Sequence, residues 1–218
     1  ESSTLKDAQA RATENSHVAS CCNAMADYPT LSSEQLAALQ CITEDLGAVK
    51  VVEGLAGTGK SYLLRAAAQA WQQSGLTVIG AALAGKAADS LEEGSGIHSQ
   101  TLHSLLAELN GGKRALSSRQ VIVLDEAGMV GTRQLARLLD HAHQAGAKVV
   151  LVGDSMQLQP IDAGGMFRKL SKELGHASLT KIRRQEKSQD RQMIHDLIAG
   201  FSLDVVDELQ QQGQLKTA

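Results

Sequence analysis

Aromatic side chains are nearly missing: the 218 residues hold only Tyr28, Tyr62, Trp71, Phe167 and Phe201, and these are scattered. This segment therefore lacks the aromatic platform on which successive bases stack. Excess positive charge is missing too, since the formal net charge is −3, so no basic footprint covers the whole domain. Cysteine is scarce. Cys21, Cys22 and Cys41 are odd in number and irregular in spacing, which excludes a disulfide framework and a four-cysteine zinc site and leaves free thiols. No apolar run approaches the roughly 20 residues needed to cross a bilayer. The opening Glu-Ser-Ser-Thr-Leu-Lys has no apolar stretch behind its first basic residue, so no signal peptide or membrane insertion is expected, and the expected compartment is cytoplasmic. The first residue is Glu rather than Met, which suggests a piece of something larger.

What is present is a folding chain. Hydrophobic residues make up 43%, enough for one domain with a sizeable core and a short appendage. Residues 1–30 are rich in Ala, Ser, Thr and Asn and read as a helical or partly disordered lead-in ended by Pro29. Leu31-Ser32-Ser33-Glu34-Gln35 reads as a helix start with a serine cap. Short apolar runs then alternate with helical patterns. Val49–Val52 precedes a glycine loop and a helix to about Gln73. Thr77–Ala82 precedes a helix near Lys86–Leu91. Val121–Leu124 precedes a helix over Thr132–Ala145, capped by Thr132 and stopped by Gly146, and Lys148–Val152 follows. Strands of about five residues alternating with helices predict an α/β fold with a mostly parallel sheet covered on both faces. The expected divisions are a lead-in over 1–30, the main domain over 31–190 and a helical segment over 191–218.

Gly54-Leu55-Ala56-Gly57-Thr58-Gly59-Lys60-Ser61 satisfies the P-loop (Walker A) pattern in full. Glycines let the backbone turn tightly and bring its amides against a phosphate chain. The helix starting near Lys60 aims its free N–H groups at the same anion. Lys60 reaches the β- and γ-phosphates, and the Ser61 hydroxyl ligates Mg²⁺. The competing reading, a glycine-rich turn with an exposed lysine, does not explain the strand before the loop and the helix after it. Val121–Leu124 is a buried strand that ends in Asp125-Glu126. Acids at the C-terminal end of a parallel strand sit where such sheets bind ligands. Asp125 would hold Mg²⁺ through water, and Glu126 would position and deprotonate the attacking water. Val150–Asp154, with Gln157 and Pro160 after it, is another strand with a polar exit, and the Gln157 amide suits a γ-phosphate sensor. Lys181-Ile182-Arg183-Arg184-Gln185 is either a solvated basic surface or the source of an arginine facing the γ-phosphate.

In order along the chain, these blocks resemble the RecD-like helicases of superfamily one, and most of all the helicase segment of TraA-type conjugative relaxases. Leu31–Leu39 with Gln35 resembles the Q motif and Gly54–Ser61 motif I. Gly80–Ala88 resembles motif Ia, and Thr101-Leu102-His103 the next motif on the DNA side. Asp125–Met129 resembles motif II, Gly153–Pro160 motif III, and Arg183–Gln185 motif IV. The resemblance implies a RecA-like P-loop NTPase fold, ATP and Mg²⁺ as cofactors, single-stranded DNA as a partner and 5′-to-3′ helicase activity in a full-length protein. It makes Lys60, Glu126, Gln157 and Arg184 catalytic. The nucleotide would meet Gln35, Gly54, Gly57, Thr58, Gly59, Lys60, Ser61 and Tyr62, with Gln35 reading adenine. Ser61 and Asp125 would face the metal, and Lys86, Thr101 and His103 the DNA. As residues in their own right, Lys86 is equally a surface lysine, His98 and His103 read as core or capping residues, and His141 and His143 as surface.

Nothing after Gln185 resembles the second motor domain that such helicases need, so the expectation is a first motor domain with weak turnover and no unwinding alone. A module that recruits DNA, relaxosome proteins or secretion components is the alternative.

Overall fold

Valine-rich runs that are apolar at every position can only be satisfied by burial on both faces, and the strands they form lie at the centre of the sheet. In the computed structural model, which describes residues 2–154 and 165–181, the strands are β1 (Val49–Gly54), β2 (Thr77–Ala82), β3 (Ser99–Thr101), β4 (Gln120–Leu124), β5 (Lys148–Gly153) and β6 (Ala177–Leu179). Their order across the sheet is β3-β2-β4-β5-β1-β6, and every pairing is parallel. The fold is a RecA-like P-loop α/β fold, as the sequence predicts.

The two-residue alternation of each strand separates two cores. Val49, Val51, Ile122, Leu124, Val149 and Leu151 face one way. They meet α1 (Ser2–Ala10), α6 (Leu102–Asn110), α7 (Thr132–Ala145) and α8 (Gly165–Leu174). Val52, Val121, Val123, Val150 and Val152 face the other way. Against them lie α2 (Cys22–Asp27), α3 (Ser33–Thr43), α4 (Lys60–Gln73) and α5 (Gly85–Ser95).

The serine cap proves real. The Ser32 hydroxyl accepts from the Gln35 amide at 3.3 Å, and the Gln35 carboxamide oxygen accepts from the Ser32 amide at 3.0 Å, which makes a reciprocal capping box. Thr132 does not occupy a cap position; it is the first residue of α7, and Gly131 is the cap. The stop at Gly146 is as expected, with φ 66°. Residues 2–27 are helical in two pieces and dock on the α/β body. The Arg11 guanidinium donates to the Ala147 carbonyl at 2.8 Å and pairs with Glu14 at 2.6 Å.

Lys148 opens β5 on the face that carries Val150 and Val152, and it is 1% exposed. Burial, and then the like charge of Lys50, push its ammonium down to about 8. The folded chain thus holds this proton less tightly than the unfolded chain. The charged lysine destabilises the fold below about pH 8, and the penalty is relieved as pH rises toward the ordinary lysine range. Lys148→Met is expected to raise the melting temperature at pH 7, with a gain that shrinks as pH approaches 10, as followed by calorimetric melts across that range.

Candidate active site

Because all six strands run in one direction, β1 and β4 release their C-terminal loops at the same edge of the sheet. Only β5 stands between them, so the two strand ends are roughly 10 Å apart, which is two inter-strand spacings. One loop is Gly54–Ser61 and the other starts at Asp125. Gly59 takes the left-handed conformation, φ 82°, as the cap of α4, a geometry that needs glycine. A Cβ at Gly54 would stand 3.0 Å from the Thr58 hydroxyl oxygen, 3.1 Å from the Leu179 Cβ and 3.3 Å from the Lys60 stem, so the start of the loop is tightly packed. The Thr58 hydroxyl donates to the Leu55 carbonyl at 2.8 Å. The Lys60 ammonium is folded onto its own loop and donates to the Gly54 and Leu55 carbonyls at 2.8 and 3.0 Å.

Gln35 is 1% exposed, and its carboxamide supports the loop from behind, donating to the Thr58 carbonyl at 3.1 Å and the Gly59 carbonyl at 3.2 Å. An adenine acceptor would compete with these two carbonyls for the amide N–H groups. The neighbouring Glu34 carboxylate holds a different segment. It accepts from the Thr180 amide at 2.8 Å, the Thr180 hydroxyl at 2.7 Å and the Lys181 amide at 3.1 Å, and these bonds keep its carboxyl below the usual range against its own burial. Tyr62 packs edge-on against Tyr28, with ring centroids 5.3 Å apart, and its hydroxyl lies 2.8 Å from that of Thr30.

Asp125 and Glu126 meet the charge of Lys60. Burial pushes the Asp125 carboxyl up, while the Glu126 amide, bonded at 2.9 Å, and the Lys60 charge pull it down. The Glu126 carboxyl is raised by burial and then by Asp125, again opposed by Lys60. Glu126 also has φ 54°, the only positive φ of a non-glycine residue among those described. That conformation costs roughly 1–2 kcal/mol. Both carboxylates line an open pocket of about 370 Å³ together with Ala84, Lys86, Ala87 and Ser90 of α5 and its approach.

A family model described as an AAA domain matches residues 30–218. The chain belongs to the AAA domain family, as a RecD-like helicase domain. It is 45% identical over 170 residues to conjugal transfer protein TraA of Agrobacterium fabrum, a match covering 78% of this chain and 15% of that protein. It is 36% identical over 155 residues to the ATP-dependent RecD2 DNA helicase of Deinococcus radiodurans, covering 69% and 22%. The multifunctional conjugation protein TraI of Escherichia coli is 29% identical over 177 residues, covering 77% and 10%. A solved arterivirus nonstructural protein 10 helicase with DNA aligns over 68% of this chain and 37% of that one, at 16% identity and a TM-score of 0.43. The chain spans about 15–17% of the length of the TraA relatives it matches.

A divalent cation is implied by this family, and the AAA domain's residues fit one. Ser61 offers a hydroxyl at the start of α4, and Asp125 a partly buried carboxylate pushed upward in pKa. No group of three or more His, Cys, Asp or Glu side chains that could cage a metal occurs among the described residues. Such a donor set suits Mg²⁺, which keeps several waters and takes its remaining ligands from phosphate oxygens.

Of the residues assigned to DNA, Lys86 lies beside the two carboxylates. The Thr101 hydroxyl caps α6 by accepting from the Ser104 amide at 3.1 Å. His103 is exposed, and so is His98, which pairs with Glu92 at 3.3 Å; neither is a core residue. His143 is exposed and His141 bonds Asn110 at 2.9 Å near the surface, as expected. Gln157 and Arg184 lie outside the described residues. Sequence reasoning missed Ser90 and the contribution of α5 as a wall. The four-residue step from Lys86 to Ser90 was the signal available, since it places both on one side of a helix.

Two expectations follow. The folded chain holds the Asp125 proton more tightly than the unfolded chain, so this group's contribution to stability falls as pH rises through the carboxylate range. Asp125→Asn should therefore raise the melting temperature at pH 7, by about 2–4 °C for each kcal/mol relieved, while removing Mg²⁺-dependent nucleotide binding in calorimetry. Gln35→Ala withdraws the support of the loop. It should weaken ATP and GTP alike by about tenfold, which corresponds to one lost buried bond of ~1.4 kcal/mol; a loss confined to ATP would instead mark an adenine contact.

Proposed function

We propose that this chain is the ATP-binding and ATP-hydrolysing motor domain of a DNA helicase, working within a conjugative relaxase–helicase on single-stranded DNA in the cytoplasm. What carries this reading is the juxtaposition at one sheet edge of the glycine loop, the Lys60 charge and the Asp125–Glu126 pair. The similarity to conjugal transfer and RecD2 helicase proteins supports the DNA partner and the conjugative setting. No described helix is long and apolar enough to cross a membrane.

In this reading the loop amides and the N-terminus of α4 cradle the phosphates. Lys60 turns from the Gly54 and Leu55 carbonyls to phosphate oxygens. Ser61 and Asp125 hold Mg²⁺, which offsets phosphate charge when bound. Glu126, whose carboxyl is raised above its ordinary value by burial and by Asp125, takes the proton of the water that attacks the γ-phosphorus. Gln157 senses the γ-phosphate, and Arg184 offsets transition-state charge. An arginine in that role is worth about 10³–10⁵ in rate. Lys86, Thr101 and His103 form part of the single-strand path.

ATP turnover by the chain, measured with and without single-stranded DNA, tests the proposal. Wild type should bind MgATP and hydrolyse it slowly, faster with DNA, and Lys60→Ala should lose at least tenfold in nucleotide affinity. DNA binding or capture of secretion components that is untouched by Lys60→Ala, with no turnover in wild type, would favour the recruitment reading.

A further inference from the structure

A glycine inside a helix costs up to about 1 kcal/mol against alanine, so Gly94 calls for a physical reason. It is not the cap of α5, because Gly96 at φ 74° takes that place. A Cβ built on Gly94 would stand 2.7 Å from the Ser61 Cβ and 3.1 Å from the Ser61 hydroxyl oxygen. The first of these is closer than side-chain carbons approach one another, and the Ser61 Cβ is bonded directly to the backbone of α4, so it has no flexible stem with which to yield. Next to this contact the Arg65 guanidinium, one turn after Ser61, donates to the Glu93 carbonyl at 3.3 Å and ties the two helices together at that height.

The remainder of α5 fits the same geometry. Lys86, Ser90 and Gly94 are spaced by four and lie along one side of the helix. Lys86 and Ser90 line the pocket that holds Asp125 and Glu126. One helix therefore runs beside the site, from the carboxylates at its start to the P-loop serine at its end.

We infer that Gly94 is a positioning residue for the metal: its bare backbone packs on Ser61 and restricts the directions open to the Ser61 hydroxyl, holding it toward the cation. A serine hydroxyl otherwise samples three staggered positions, and the α5 backbone occupies the space beside it. A methyl group at position 94 pushes α5 away from the start of α4, which removes the restriction on the Ser61 hydroxyl and leaves the loop amides that bind phosphate in place. This inference rests on the reading of Ser61 as a metal ligand given under Proposed function.

The test is calorimetry on the 218-residue chain, comparing ATP with Mg²⁺ and ATP in excess EDTA for wild type, Gly94→Ala, Ser61→Ala and the double variant. Gly94→Ala should lower Mg²⁺ affinity in the ATP complex about tenfold while leaving metal-free ATP affinity within about twofold. In the Ser61→Ala background it should add nothing. Arg65→Ala, which frees the Glu93 carbonyl without adding an atom, should move Mg²⁺ affinity in the same direction by a smaller factor, and it keeps the question open to refutation if Gly94→Ala fails to fold. If Ser61→Ala loses Mg²⁺ affinity but neither Gly94→Ala nor Arg65→Ala does, the positioning role is overturned. If Ser61→Ala itself binds Mg²⁺ as wild type does, the ligand reading fails first and the role of Gly94 falls with it.

Discussion

Parallel strand direction is the constraint on which everything else in this chain depends. It places the loop after β1 and the acids after β4 at one edge, with a single strand between them. It forces crossover helices onto both faces, and one of them sets the α5 stripe beside the carboxylates, while α3, which precedes β1, puts Gln35 under the loop. An antiparallel exchange anywhere between β1 and β4 would send one half of the site to the opposite end of the sheet.

The site is held at some cost to the fold. Asp125 and Glu126 are both pushed upward by burial, and Glu126 sits in a backbone conformation that favours glycine. Carboxylates relaxed in solvent would suit stability better, but they would attract a cation less strongly, because charges interact more in a poorly solvated pocket. Lys148 is a different case. It is a buried cation at the far end of β5 from Gly153, and no chemistry of the site uses it.

Much of this could be read in the residues, for a physical reason. β1, β2, β4 and β5 announce themselves because strands largely buried on both faces need predominantly apolar, β-branched runs, and the glycine loop because phosphate contact needs missing side chains. β3 and β6 are three residues long, Ser-Gln-Thr and Ala-Ser-Leu, and exist only through their neighbours, so no local pattern marks them. Gln35 was recognisable as important, but only the fold shows its amide turned onto the Thr58 and Gly59 carbonyls. The histidines misled because a lone imidazole has no pattern: His98 and His103 were expected inside or capping, and both face solvent.

Adjacent side chains at the start of α3 grip segments far apart in the chain. Gln35 holds the phosphate loop, and Glu34 holds Thr180 and Lys181, the last residues described. Both are anchored in one capped helical turn, which is stiff. The loop after β1 and the point where the chain leaves β6 thus share one support. The first turn of α3 serves as a mechanical tether, and a single peptide unit separates its two attachment points.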